Sequence, residues 1–310
     1  MLEGPINMAK LASSERLFHR QASSQVRRSA TAEIVCAQRA AETLRPPGRR
    51  LIDDRYAKYF LAAGAYRFLT ASRLTAAVTR RAFDRIYPGY MAIVLLRNRW
   101  YEAELERALA GGVEQIVLLG AGYDTTSLRL DLGRATLFEV DAPPTQQAKR
   151  EVIRRQGLPD HAVRYVPCDF EHDMLSERLR ENGFDAHARS LVAWWGVSFF
   201  LSKDAVHQTM TDVASLTAPG SRFLFDYLDS SVVAGTTGFR GARRARAAVA
   251  RRGEAYRFGL QRDEARQLVT SFGFEAEENL SITDLAQLFG PFPYRTDDFF
   301  GVITGRRVAR

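Results

Sequence analysis

From Val113 onward the chain alternates between two textures, and this alternation constrains its fold most. Short apolar runs rich in β-branched and aromatic residues occupy 115–120 (QIVLLG), 135–141 (ATLFEVD), 163–170 (VRYVPCDF), 190–201 (SLVAWWGVSFFL) and 221–229 (SRFLFDYLD). Polar, helix-like stretches lie between them near 144–156, 173–182 and 203–217. Strands alternating with helices predict βαβ units and a parallel sheet covered by helices on both faces. Two further strands are predicted at 272–281 and 299–307, with a helix over 262–272 before them.

Residues 1–112 follow a helical period instead. The stretch 29–44 opens on Ser29 and carries Ile34, Val35, Ala37, Ala41 and Leu44 on one face. Pro46 and Pro47 end it, because proline cannot continue a helix. Helices are also predicted over 75–86 and 90–110, the second closed by Gly111 and Gly112. The organisation expected is an N-terminal helical cap over 1–112 and an α/β domain over 113–310. Within that domain, 230–257 is rich in Arg, Ala and Gly. It reads as an insertion, a loop and an arginine-studded helix near the mouth of any site on the sheet.

Composition narrows the function classes. The chain is 46% hydrophobic and 26% charged, as expected of a folded globular protein. Cys36 and Cys168 form no CxxC and no His/Cys cluster, so neither a disulfide framework nor a metal site is expected. No run of ~18 apolar residues is present, which predicts no membrane span and no membrane partner. The start, MLEGPINMAKLASSERLF, lacks the apolar core of a signal peptide, so a cytoplasmic enzyme is expected. The net charge of +8 admits nucleic acid as a partner. That charge is spread along the chain, arginine replaces lysine almost throughout, and aromatic–basic interleaving is missing, so nucleic acid is disfavoured.

The first strand ends in the loop Gly120-Ala121-Gly122-Tyr123-Asp124, with Thr125 where a dinucleotide fingerprint carries its third glycine. Gly120 and Gly122 permit a tight turn and leave no Cβ to block a ligand. Asp141 follows Gly122 by 19 residues, at the end of the second strand, where an acid meets a ribose diol. Glu139 lies two residues earlier on the same strand face. Asp169 and Phe170 end the third run, a carboxylate and a ring suited to an adenine. Asp124 would oppose a pyrophosphate but suits an ammonium or a polar backbone contact. This pattern favours S-adenosyl-L-methionine, which has no phosphate and carries a cationic amino-acid end. The same two strand-end acids would also serve as caps of the helices that follow.

With these residues in place the chain resembles the leucine carboxyl methyltransferase-like family of S-adenosyl-L-methionine-dependent enzymes, in its bacterial branch common in actinomycetes. The marks are TAEIVCAQRAAET, LIDDRYAKYF, LLGAGYDTTSLRL, FEVD with a proline after it, and CDF, spread over about 29–228. The resemblance implies a class I methyltransferase fold, a Rossmann-like seven-stranded sheet with one antiparallel strand and an N-terminal helical cap. It implies that Gly120, Ala121 and Gly122 approach the methionine part, that Asp141 takes the ribose, and that Asp169 and Phe170 flank the adenine. It also implies an arginine for the cofactor carboxylate, Arg97 first and Arg99 second. One departure stands out. The resemblance implies an acid early in the fourth strand; in Trp194-Trp195-Gly196 Trp195 occupies that slot, and a tryptophan cannot accept a hydrogen bond. Asp124 could take over the ammonium, and the Trp195 ring could face the sulfonium by cation–π attraction.

The expected activity is O-methylation of a carboxylate or hydroxyl on a small-molecule, secondary-metabolite substrate. Protein C-terminal carboxyl methylation is the alternative within the family. A basic nucleic-acid binder, or a non-catalytic cofactor binder closed by Trp195, is the alternative of another class. A carboxylate needs no general base and an alcohol does. No clear base is visible among His19, His161, His172, His187 and His207, His207 being the one that follows the fourth strand. Substrate contacts are expected from Tyr90, Tyr227 and Arg240, with Tyr87, Phe239 and Arg243 as further candidates.

Overall fold

A computed structural model describes residues 30–61, 67, 70–160, 163–251 and 253–309. His19, His161 and the N-terminal stretch 1–18 lie outside the described residues. Helix α1 spans Ala30–Thr43, α2 Arg73–Ile86 and α3 Tyr90–Ala110. The sheet then begins with β1 (Gln115–Leu119), followed by α4 (Thr126–Arg129), β2 (Thr136–Asp141), α5 (Pro143–Gln156) and β3 (Val163–Pro167). Next come α6 (Leu175–Glu181), β4 (Ser190–Trp194), α7 (Lys203–Leu216) and β5 (Arg222–Leu228). The chain continues through α8 (Ser230–Ala234), α9 (Arg240–Ala250), α10 (Arg262–Ser271), β6 (Phe274–Ser281), α11 (Ile282–Leu288) and β7 (Phe300–Arg307).

The seven strands form one sheet in the order β3-β2-β1-β4-β5-β7-β6. β1 to β5 are parallel and β7 runs antiparallel to both β5 and β6. Strand order reverses between β1 and β4, the position where ligands bind in open α/β sheets. Every residue of β1 and β4 is buried, as expected of central strands covered on both faces. Along these strands the side chains alternate between two cores. Val117, Leu119, Val192, Phe223 and Phe225 pack with α6, α7 and α10, while Ile116, Leu118, Leu191, Ala193 and Leu224 pack with α3, α9 and α11.

The run 190–201 yields a strand only to Trp194, because the chain turns at Gly196 (φ 68°) into a short 3-10 turn at Ser198–Phe200. The cap helix α1 seats Cys36, Ala37 and Ala40 against Tyr123 of the glycine loop and Val152 and Ile153 of α5. The segment 230–257 folds as α8, a loop and α9, and its return comes back over the C-terminal edge of the sheet. Among the described residues no helix is long and apolar enough to cross a membrane.

Candidate cofactor-binding and active site

The loop after β1 is stitched to β2 by its backbone. Gly120 and Ala121 donate their N–H groups to Val140 O at 2.8 and 3.0 Å. Gly120 sits at φ 72° with Val197 against it, and a Cβ there would lie 2.0 Å from Val197 Cγ2. Only glycine meets both demands, so this position is fixed by conformation and by space. The Asp141 carboxylate accepts the N–H of Gly122 and, at 2.7 Å, that of Ala142. Burial outweighs those two hydrogen bonds and pushes its carboxyl up to about 6. Asp124 Oδ1 accepts Thr126 N–H at 2.7 Å and so starts α4.

A cleft of about 530 Å³ opens on this loop. Arg97, Gly120, Ala121, Gly122, Asp124, Asp141, Asp169, Phe170 and Trp195 all line it. Asp169 sits past β3, half exposed, with His172 Nδ1 at 3.0 Å, and Phe170 packs on Trp194 with ring centroids 6.4 Å apart. Trp195 forms an aromatic wall, edge-on to Trp100 at 5.5 Å and to Tyr101 at 5.8 Å. Its indole Nε1 is buried and has no hydrogen-bond partner among the described residues. Arg97 donates to Asp226 of β5, and the same carboxylate accepts Gly196 N–H at 2.9 and 3.0 Å. Glu139, by contrast, is buried beneath the site and pairs with Lys149 at 2.6 Å.

A buried ionic network holds the cap to the loop. Asp54, from the LIDDRYAKYF stretch, accepts from Arg39 Nε and Thr125 Oγ1, each at 2.8 Å, and from Ala57 N–H at 2.9 Å. Arg39 also donates to Tyr123 O, and Arg129 joins Thr125 to Glu102 at 2.9 and 2.6 Å. The loop is therefore braced from the cap side by one carboxylate.

Residues 32–214 match the family model described as leucine carboxyl methyltransferase. The chain belongs to the leucine carboxyl methyltransferase family. It is 32% identical over 204 residues to a protein of Mycobacterium avium (strain 104) named as an S-adenosyl-L-methionine-dependent methyltransferase, covering 64% of each chain. A Bacillus subtilis (strain 168) protein with the same kind of name is 32% identical over 209 residues, covering 66% of this chain and 67% of that one. The match thus spans slightly under two thirds of the mycobacterial relative's length. Among solved structures, one titled as a methyltransferase from Thermobifida fusca superposes with a TM-score of 0.55 at 16% identity, over 88% of this chain and 94% of that one. A DUF574 family protein from Streptomyces avermitilis gives 0.56 at 13% identity, over 76% and 92%. The shared architecture is the class I methyltransferase fold.

Against this leucine carboxyl methyltransferase frame, several expected contacts move. Tyr227 does not line the cleft. It shares a strand face with Phe223 and Phe225, and its hydroxyl donates to Asn279 Oδ1 at 2.7 Å. Arg240 is exposed at the start of α9, whose inner face is Gly241, Ala242, Ala245 and Val249. Tyr90 lies outside the lining and bonds the Tyr256 hydroxyl. Arg243 is spent on the carbonyls of Thr237 and Gly238 at 3.0 and 2.9 Å. Phe239 packs on Phe299. His207 is on the exposed face of α7, edge-on to Phe272 at 5.9 Å, away from the cleft. Arg99 lies over Phe289 outside the lining, so Arg97 is the one of the two that faces the cleft.

The segment 230–257 instead contributes its C-terminal return. Glu254 and Arg257 line the cleft, Glu254 accepts from Thr31 of α1, and Arg257 pairs with Glu171 at 2.8 Å. Sequence reasoning missed Arg39, Asp54, Asp226, Glu254 and Arg257. Asp226 alone left a signal, an acid inside the apolar run RFLFDYL.

Proposed function

We propose that the protein is an S-adenosyl-L-methionine-dependent O-methyltransferase acting on a small-molecule acid, with the carboxylate as the favoured acceptor group and a hydroxyl as the second. One observation carries this reading: in a leucine carboxyl methyltransferase family chain, the glycine loop, Asp141 and Asp169–Phe170 converge on a single cleft.

The residues present fit the cofactor. The volume of about 530 Å³ falls within the ~300–1,000 Å³ usual for small-ligand sites. An ionised carboxylate has about four acceptor positions, so Asp141 keeps capacity for a ribose diol beyond its two N–H partners. Asp169 and Phe170 would bracket the adenine. Arg97 retains guanidinium donors for a carboxylate beyond the one given to Asp226, and Asp124 would receive the ammonium. When bound, the sulfonium supplies an electrophilic methyl group. The chain's own task is alignment of the acceptor, which contributes up to ~7–11 kcal/mol in well-oriented reactions.

An acidic acceptor fits the charges of the lining. Arg39 and Arg97 are each held by a buried carboxylate, Asp54 and Asp226. Arg257 is half exposed and its partner Glu171 is at the surface, so an acceptor carboxylate can replace Glu171 in a bidentate pair. Such an acceptor is ionised at neutral pH and needs no base. The contact of Thr31 with Glu254 joins α1 to the return segment, which favours a pocket for a small molecule over an open groove for a protein terminus.

Calorimetric titration with S-adenosyl-L-methionine tests the reading, with saturable binding expected. No heat at near-millimolar ligand would overturn it. A label-transfer screen over candidate acids then separates the acceptors: a carboxyl methyl ester releases its label as methanol in mild alkali, and a methyl ether keeps it.

A further inference from the structure

Three large apolar side chains left at the surface sit on α2: Leu74 is 75%, Val78 58% and Ile86 48% exposed. With exposed Ala82 they form a row at i,i+4 spacing along the helix. Arg81 and Arg85 form the neighbouring row, also exposed, and Arg73 stands at the N-terminal end. The opposite face carries buried Ala76 and is held on α1 by Arg80, which donates to Ala41 O. The one acid of α2, Asp84, is half-buried and accepts Arg295 N–H at 3.2 Å. Among the described residues of α2, the outward face therefore presents apolar groups and guanidiniums without a carboxylate.

The first turn of α9 extends this face. Gly241 is pressed against the corner between α2 and α3, where a Cβ would lie 1.9 Å from Pro88 O. Arg244 then reaches Ile86 O at 2.8 Å and caps the C-terminal end of α2, with Arg240 exposed one residue before Gly241.

Single exposed apolar residues are ordinary. A row of them along a helix, interleaved with arginines, is the chemistry of an interfacial helix. The apolar side chains enter the boundary between headgroups and acyl chains, and the guanidiniums meet lipid phosphates. Pairing of this face with a second copy would set arginine rows of like charge against each other.

Against the expectation of no membrane partner, which rested on the lack of a spanning run, we propose that α2 and the first turn of α9 form a docking face for an anionic lipid bilayer, on which the protein lies peripherally. The test is flotation of the full chain with vesicles of phosphatidylglycerol and phosphatidylcholine, and with phosphatidylcholine alone. Binding is expected only with phosphatidylglycerol, weakening as salt shortens the screening length. Leu74→Asp with Val78→Asp abolishes it, while the melting temperature is kept because both sites are exposed. Arg81→Glu and Arg85→Glu each lower partitioning at least about fivefold. Arg154→Glu with Arg155→Glu on α5 is the control for net charge and has a much smaller effect. Absence of binding to anionic vesicles overturns the proposal, including in favour of an acidic protein partner. So does binding that survives the Leu74/Val78 change, or an equal loss in the α5 control.

Discussion

Arg97 of α3 and Asp226 of β5 form an ion pair between buried side chains, 11% and 1% exposed, and Asp226 also holds the Gly196 N–H where the chain leaves β4. Burial raises the Asp226 carboxyl, opposed by Arg97. One carboxylate thus positions the cleft-facing arginine and the turn that carries Trp195. Trp195 itself offers no acceptor, and the acid of the neighbouring strand β5, Asp226, lies beneath the cleft.

Removing one partner of such a pair strands the other charge. Asp226→Ala is expected to cost ~3–5 kcal/mol in urea unfolding, and Arg97→Ala with Asp226→Ala less than the sum of the single changes. Additive losses would show that the two side chains act independently.

Asp141→Ala removes the acceptor proposed for the ribose. With charged hydrogen bonds worth ~1.5–3 kcal/mol, cofactor Kd should rise roughly 10- to 100-fold by calorimetry, with the fold intact by circular dichroism. The carboxyl is pushed up to about 6 by burial, and its anionic form is the one that accepts both hydroxyls. Affinity is therefore full only well above that value and, as pH falls through it, is lost by up to about tenfold per unit. Asp141→Ala should flatten that profile.

Asp54 is braced by Arg39 and Arg129, which hold its carboxyl below the usual range although burial alone would raise it. A depressed folded value contributes stability that is complete above about pH 4 and lost as pH falls through that value. Asp54→Asn should lower stability at neutral pH and make the acid limb of the stability curve less steep. It should also weaken cofactor binding, because Thr125 and the Tyr123 carbonyl lose their brace.

Trp195→Leu separates a sulfonium contact from a packing role. A cation–π contact of ~1 kcal/mol predicts about a fivefold loss of S-adenosyl-L-methionine affinity, with S-adenosylhomocysteine, whose sulfur is neutral, unchanged. Equal losses for both ligands would assign Trp195 to packing against Trp100 and Tyr101 alone.

Arg257→Ala should raise the KM of an acid acceptor about tenfold or more and leave cofactor Kd unchanged. A parallel rise in both would place Arg257 on the cofactor instead.

Much of this protein was legible in the sequence because it is local. Largely apolar runs alternating with helices point to the parallel sheet, and parallel strands end on one edge. The strand-end positions Gly120, Asp141 and Asp169 therefore had to meet there. What only the tertiary structure decided depends on which way each side chain turns and on which segments meet across long sequence gaps. Asp226 and Tyr227 are neighbours on β5, yet the strand's two-residue period sends the first toward Arg97 and the second toward Asn279. Helix phase turned His207 and Arg240 to solvent, and the path of the segment after α9 brought Arg257 to the cleft in their place. The braces at Asp54 and Asp226 join residues 71 and 129 positions apart, and these pairings exist only once the cap, the loop and the strands are packed together.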